Sequence, residues 1–380
     1  MNSLEAQNNP LAGLNFSTDQ FDFDRDDVEK ALEEGRIDEI DRDFLINALN
    51  QYAVGNRQVV IDILSYRMQL NNDLKPGQER FIKMQELGCR NHPLTDLDIS
   101  GYELPEVDLE EGVIGGSLRM SHSDVKGHIK MESTKIGGYV NQNGAEIGGN
   151  VRQRWAKIGG GVRQSRAKIR GDVDQWGAKI GGSVRQSRAK IGGSVYQSNA
   201  EIRLDVDQNR AEIGGIVNQG WAKIGKGVNQ TRAKIGGGVN QEVAKIDGVV
   251  DQNRAEIGGG VDQSNAKIDG TVYQNKAKIK GNVRQEAAKI KGNVNQSEAK
   301  IEGGVYQYNA KIKGNVDQSG AKIKGNVDQE RAVIGGKVDQ GEAEIGGQVN
   351  QEGAVIGGKV DQRGMRANLN KPKNWWQFWR

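Results

Sequence analysis

Ala189-Lys190-Ile191-Gly192-Gly193-Ser194-Val195-Tyr196-Gln197-Ser198-Asn199 is one complete copy of a phrase that recurs, with small variations, from about residue 112 to 362. Counted from its Ala as position 0, the unit is eleven residues long, and Ala returns at every eleventh residue from Ala145 to Ala354. Ile holds position 2 from Ile136 to Ile356, Val position 6 from Val140 to Val360, and Gln position 8 from Gln142 to Gln362. Gly fills position 4 in nearly every unit, with Leu204 and Lys226 the departures. A fixed short period means one structural unit stacked on copies of itself.

An eleven-residue period also suits three turns of a supercoiled helix. The 53 glycines of the chain, most of them in the array, argue against it. Each Gly in a helix interior costs about 1 kcal/mol relative to Ala. The strand reading fits instead. Ala, Ile, Gly, Val and Gln fall on even positions, the period of a pleated strand, while odd positions carry Lys, Glu, Arg, Asp, Asn or Tyr. Ala and Ile then point inward from one short strand, and Val and Gln from the next. The position-4 glycines (Gly160, Gly182, Gly193, Gly237 and Gly259 among them) allow a sharp corner where a Cβ would clash. Positions 9 and 10 supply a second corner. All five prolines lie outside 106–371, as uninterrupted strand pairing requires.

The reading is mainly β: a long single-stranded β-solenoid of 11-residue repeats, preceded by a small α-helical N-terminal domain. No 22-residue alternation stands out at positions 3, 7, 9 and 10, so a coil of one unit or of two stays open. The first would make a thin rod of about 110 Å, and the second half that length, at about 4.8 Å per coil. The Gln column has two placements, an inward amide ladder of the cross-β kind or an outward turn at the corner, and both stay open.

The alternation Ile-x-Gly-x-Val, as in Ala189 to Val195, resembles the repeats of the bactofilin family of bacterial polymer-forming proteins. The likeness covers about 112–362. It implies a β-helix that assembles end to end without nucleotide as a cytoskeletal scaffold, often at a membrane. The array departs from that family in being longer and more regular than a compact bactofilin core, and in following a sizeable helical segment.

Four regions follow in order: a flexible arm at 1–25, an acidic α-helical bundle at 26–93, the solenoid at 94–364 with an irregular lead-in over 94–111, and a Trp-rich tail at 365–380. In the bundle, Ile40, Phe44, Leu45, Leu49 and Tyr52 form one apolar stripe, and Pro76 opens a fourth helix that ends at Gly88. Only 35% of residues are hydrophobic and 5% aromatic, which suits a rod with a narrow core. A lone Cys89, with no basic-then-apolar start and no long apolar run, points to a cytoplasmic protein, membrane-associated at most through its surface.

The net charge of +3 hides a division. Residues 1–111 hold 24 acidic and 10 basic residues, a net of −14, which leaves 26 acidic and 43 basic residues, a net of +17, to the rest. Position 1 carries much of the positive charge. Its run Lys267, Lys278, Lys289, Lys300, Lys311 and Lys322 is the candidate basic strip for a polyanion, an anionic bilayer or the acidic domain of a neighbouring chain. The bland reading is a solvated face that keeps a rod soluble. Nucleic acid is disfavoured: the N-terminal region is acidic, and Tyr196, Tyr273 and Tyr306 at position 7 are too sparse to stack bases.

The three histidines share no repeat position, no Cys/His metal spacing occurs, and no phosphate-loop motif stands between a strand and a helix. No enzyme, cofactor or metal is therefore expected. Trp375, Trp376, Phe378 and Trp379 form the sharpest local signal, as a cap over the last coil, an anchor for a protein partner or a membrane-interface motif. The expected function is a self-associating structural scaffold. The alternative is an adaptor whose solenoid is a spacer, or a polyanion- or membrane-binding surface, between two binding ends.

Overall fold

The computed structural model describes residues 97–367 except 102 and 105, together with 81–83, Glu29, Lys30 and Glu33. The arm at 1–25, nearly all of the expected helical bundle, and the aromatic tail from 368 onward lie outside the described residues.

Each unit contributes two strands of two residues. In the unit quoted first they are Lys190–Ile191 at positions 1 and 2 and Val195–Tyr196 at positions 6 and 7. Positions 3 and 4 bend the chain, and positions 9 and 10 turn it. The register answers the open question of coil size. Val140 pairs with Val162 and Lys157 with Lys179, both parallel and both 22 residues apart. One coil therefore takes two units, and the chain closes a four-sided turn through four corners. Three sheets of 13 strands and one of 12 run the length of the solenoid. At about 4.8 Å per coil this is a rod of about 60 Å rather than about 110 Å.

Going round a coil, valine sheets alternate with isoleucine sheets, so the two isoleucine faces lie opposite one another, as do the two valine faces. The position-0 Ala, position-2 Ile and position-6 Val of the regular units from Ile136 to Ala343 are at most 2% exposed. The lead-in is the first coil. Leu97–Asp98, Glu103–Leu104 and Glu106–Asp108 are its strands, and Leu97, Ile99, Leu104, Val107 and Leu109 are buried with the rest of the core.

One expectation is corrected at the N-terminal end. The fourth helix, placed from Pro76 to Gly88, meets a strand at Phe81–Lys83, which pairs in parallel with Glu106–Asp108. An open sheet edge offers unpaired N–H and C=O groups, and satisfying them overrides local helix preference.

The position-8 glutamines turn inward. Gln142 to Gln340 are 0% exposed, and they form two ladders up the interior. In one, Gln230 Nε2 donates to Gln208 Oε1 at 2.8 Å, and Gln252 Nε2 donates to Gln230 Oε1 at 2.8 Å. The other runs through Gln219, Gln241 and Gln263 at the same spacing. Every amide points its N–H toward the N-terminal end, so both ladders share one polarity. The second ladder starts from a buried donor without a partner, Gln153 Nε2, because Met131 lies one coil below. In the first, Gln142 Nε2 faces the Met120 sulfur at 3.8 Å.

Corner chemistry explains two more columns. The last residue of every unit from Glu111 to Gly364 lies in the left-handed region, whatever its type. Asn and Gly tolerate that conformation, whereas other residues lose about 1–2 kcal/mol in it. Ahead of the corner, Asn or Asp at position 7 accepts the N–H of position 9, as Asp251 Oδ1 does from Asn253 at 2.9 Å. This Asx turn sets up the reversal. Val243, with φ 57°, is the one β-branched residue among the described residues held in this conformation. Val243→Asn should raise the stability of the rod by about 1 kcal/mol, read as a higher denaturant midpoint. An unchanged or lower midpoint would contradict the strain assigned to this corner.

Candidate functional site

Outward side chains stack into columns with a 22-residue step, which rearranges the expected basic strip. Lys267, Lys289 and Lys311 share one isoleucine face, while Lys278, Lys300 and Lys322 share the opposite one. The six-residue strip is thus two separate triads, because successive units occupy opposite sides of a coil. Acidic residues interrupt both columns. Glu256 accepts from Lys278 Nζ at 2.7 Å, Glu344 from Lys322 at 3.0 Å, and Glu201 from Lys223 at 2.9 Å.

Those lysines hold the carboxyls of Glu256, Glu344 and Glu201 below their ordinary range, chiefly through the hydrogen bond itself. Asp361 is drawn down to about 2 by hydrogen bonds from the Arg363 side chain and backbone. A carboxyl depressed in the folded state contributes stability that is present above its unfolded pKa and lost as pH falls through the folded value. Glu132 has the opposite sign: burial raises it, with Glu110 nearby adding to the effect. Its contribution is present at low pH and lost as pH rises. Several groups of the first kind oppose one of the second. The melting temperature should therefore fall modestly as pH drops from 4.5 toward 2. A rise across that interval would contradict these pairings.

The expected corner glycines sit where a side chain would strike the coil below. A Cβ on Gly182 would lie 2.6 Å from the Gly161 backbone N, and one on Gly237 would lie 2.5 Å from Ile216 Cγ2. The glycines are thus favoured by the approach of neighbouring coils, with Leu204 and Lys226 the two places where a side chain is accommodated, and none of the position-4 glycines has a positive φ. Trp375, Trp376, Phe378 and Trp379 lie outside the described residues. Tyr196 and Tyr306 fall on one valine face and Tyr273 on the other. His128 Nδ1 accepts the N–H of Asn150 at 2.9 Å, and so extends the position-5 column whose Asn and Asp oxygens accept from the coil above.

Two features escape a reading in steps of eleven. Written in steps of 22, position 10 does alternate. One corner carries Arg166, Arg188, Arg210, Arg232, Arg254 and Lys276, while the other carries Trp155, Gly177, Asn199, Trp221, Val243 and Asn265. The second corner also gathers an aromatic pair, with the Trp155 and Trp176 rings edge to face at 4.3 Å. The expectation of no 22-residue alternation is thereby corrected at position 10, where the contrast holds only from Trp155 to Lys276 and is diluted over the whole array.

Among the described residues no group of three or more His, Cys, Asp or Glu is placed to hold a metal ion, and no helix is long and apolar enough to cross a membrane. Fold and columns together define a four-sided parallel β-solenoid with two repeats per coil and paired amide ladders. The chain matches no family model, no curated protein and no solved structure.

Proposed function

We propose that this chain is a non-enzymatic structural rod, bactofilin-like in its repeat, that assembles end to end in the cytoplasm as a scaffold. The observation that carries the reading is the C-terminal end of the described solenoid. Val338 is fully buried, yet Val360, its pair one coil on, is 43% exposed, and Ile356 and Met365 are only partly covered. The two glutamine ladders end there on Gln351 and Gln362, each of which donates to the rung below. Their amide oxygens face the next position in the stack. An end of this kind leaves apolar side chains and an unpaired strand edge that a further coil would cover, and parallel pairing continues only by head-to-tail addition.

Electron microscopy over a range of concentration and salt tests the proposal. Rods in multiples of about 60 Å are expected, and Ile356→Asp with Val360→Asp should return them to single particles. Particles that stay single at every concentration would reject self-assembly. Deleting Trp375–Arg380 addresses the adaptor alternative: polymers that persist while a partner or membrane is no longer recruited would favour it.

A further inference from the structure

The two corners that close each coil differ in chemistry although they share a backbone. Arg166, Arg188, Arg210, Arg232 and Arg254 stand on consecutive coils of one corner, about 4.8 Å apart along the axis, with φ of 56–60°. No ion pair joins any of the five among the described residues; Lys276, the next rung, pairs with Glu298 at 3.3 Å. Two penalties recur at each rung. Like charges stacked across a sheet repel, and arginine in the left-handed region is disfavoured where Asn or Gly would be at ease. The opposite corner holds Trp155, Gly177, Asn199, Trp221, Val243, Asn265, Ala287 and Asn309 in the same conformation, so the backbone penalty is common to both corners and the stacked charge alone sets the arginine corner apart. Solubility alone would not confine the cations to one edge. Local rules broken repeatedly at one place mark a functional surface.

Beside the arginines runs a half-buried column of hydroxyls and amides at position 9. Asn209, Thr231, Asn253 and Asn275 line a shallow groove with Arg232, Arg254 and Lys276. Each coil thus offers a guanidinium fork and a small polar group at constant spacing. Guanidinium takes carboxylate or sulfate through two parallel hydrogen bonds. A translationally identical array fits a ligand that itself repeats, which an irregular acidic peptide does not. No aromatic side chain stands at positions 9 and 10 of this corner from Asn143 to Lys276, so bases have nothing to stack on. We propose that the arginine corner binds a linear anionic polysaccharide bearing carboxylate or sulfate groups, laid along the rod axis. This surface is independent of whether the rod polymerises.

The test uses the full chain with polygalacturonate (carboxylate) and heparin (sulfate) as probes, and duplex DNA beside them. The triple variant R188N/R210N/R232N removes three charges and places Asn where the backbone suits it, so its melting temperature should not fall. It should lose about tenfold or more in affinity for at least one polysaccharide. The control K267Q/K289Q/K311Q removes as many charges from a flat face and should lose less than about threefold. A second pair of variants changes register instead. Removing Ala200–Arg210 moves Arg232, Arg254 and Lys276 to the other corner and breaks the run, whereas removing Ala200–Trp221 shortens it by one rung and keeps it continuous. The first deletion should weaken binding and the second leave it near the parent value. The proposal is overturned by no binding to either polysaccharide, by equal losses in the two triples, or by duplex DNA bound as tightly as the polysaccharides. It also fails if the corner variant alters self-association but not polysaccharide binding, since the acidic 1–111 region of a second copy would then be the occupant.

Discussion

Gln230→Leu is expected to destabilise the rod by about 2–6 kcal/mol, although leucine matches the shape of the amide and adds apolar surface. Gln230 is a middle rung: its Nε2 donates to Gln208 and its Oε1 accepts from Gln252. Leucine leaves the Gln208 oxygen and the Gln252 N–H facing a methyl group in a dry interior. A buried donor or acceptor stripped of its partner costs about 1–3 kcal/mol, and two are created. Gln362→Leu removes only the last donor of the same ladder at a partly buried site, so its effect should stay below about 1.5 kcal/mol. Replacing a whole ladder by leucine should be milder than the single change, because no orphaned group remains. Chemical denaturation of the three variants checks this ordering. Equal losses at the middle and the end would mean that the amides do not act as a connected ladder.

Gly182→Ala should cost about 1–3 kcal/mol, the usual range for overpacking a filled site. On an open loop the same change stabilises, because alanine restricts the unfolded chain. At Gly182 the new methyl would stand 2.6 Å from the backbone N of Gly161 and 2.8 Å from its Cα, so the coils must part. The chain contains a natural trace of that strain. Leu204, stacked over Gly182 at position 4, reaches the Gly182 carbonyl at 3.4 Å, whereas Gly182 reaches Gly160 at 2.8 Å. Thermal melting of Gly182→Ala beside Leu204→Gly is the measurement. The first should fall and the second rise, and a stabilised Gly182→Ala would show that the corner has room to give.

What the sequence determined by itself was the inside of the rod. Ala145, Ile147 and Val151 sit on even positions, and alternation along a strand is a local property that needs no knowledge of distant residues, while the inward turn of Gln153 was left open by it. The solenoid class, the inward Ile and Val, the place of both corners and the start of the coils near Leu97 all follow from that alternation. The left-handed position 10 was half legible in its recurring Gly and Asn, such as Gly177 and Asn199, but masked by the arginines that share the site.

Tertiary structure alone decided which outward residues are neighbours. The number of units in a coil depends on how far four successive corners turn the chain, a sum that no single unit displays. Both units of a coil carry the same Ala, Ile, Val and Gln, so the buried pattern is satisfied equally by a step of 11 or of 22. Only closure of the backbone breaks that tie. It sends Lys267 and Lys278 to opposite faces and brings Arg188, Arg210 and Arg232 into one line.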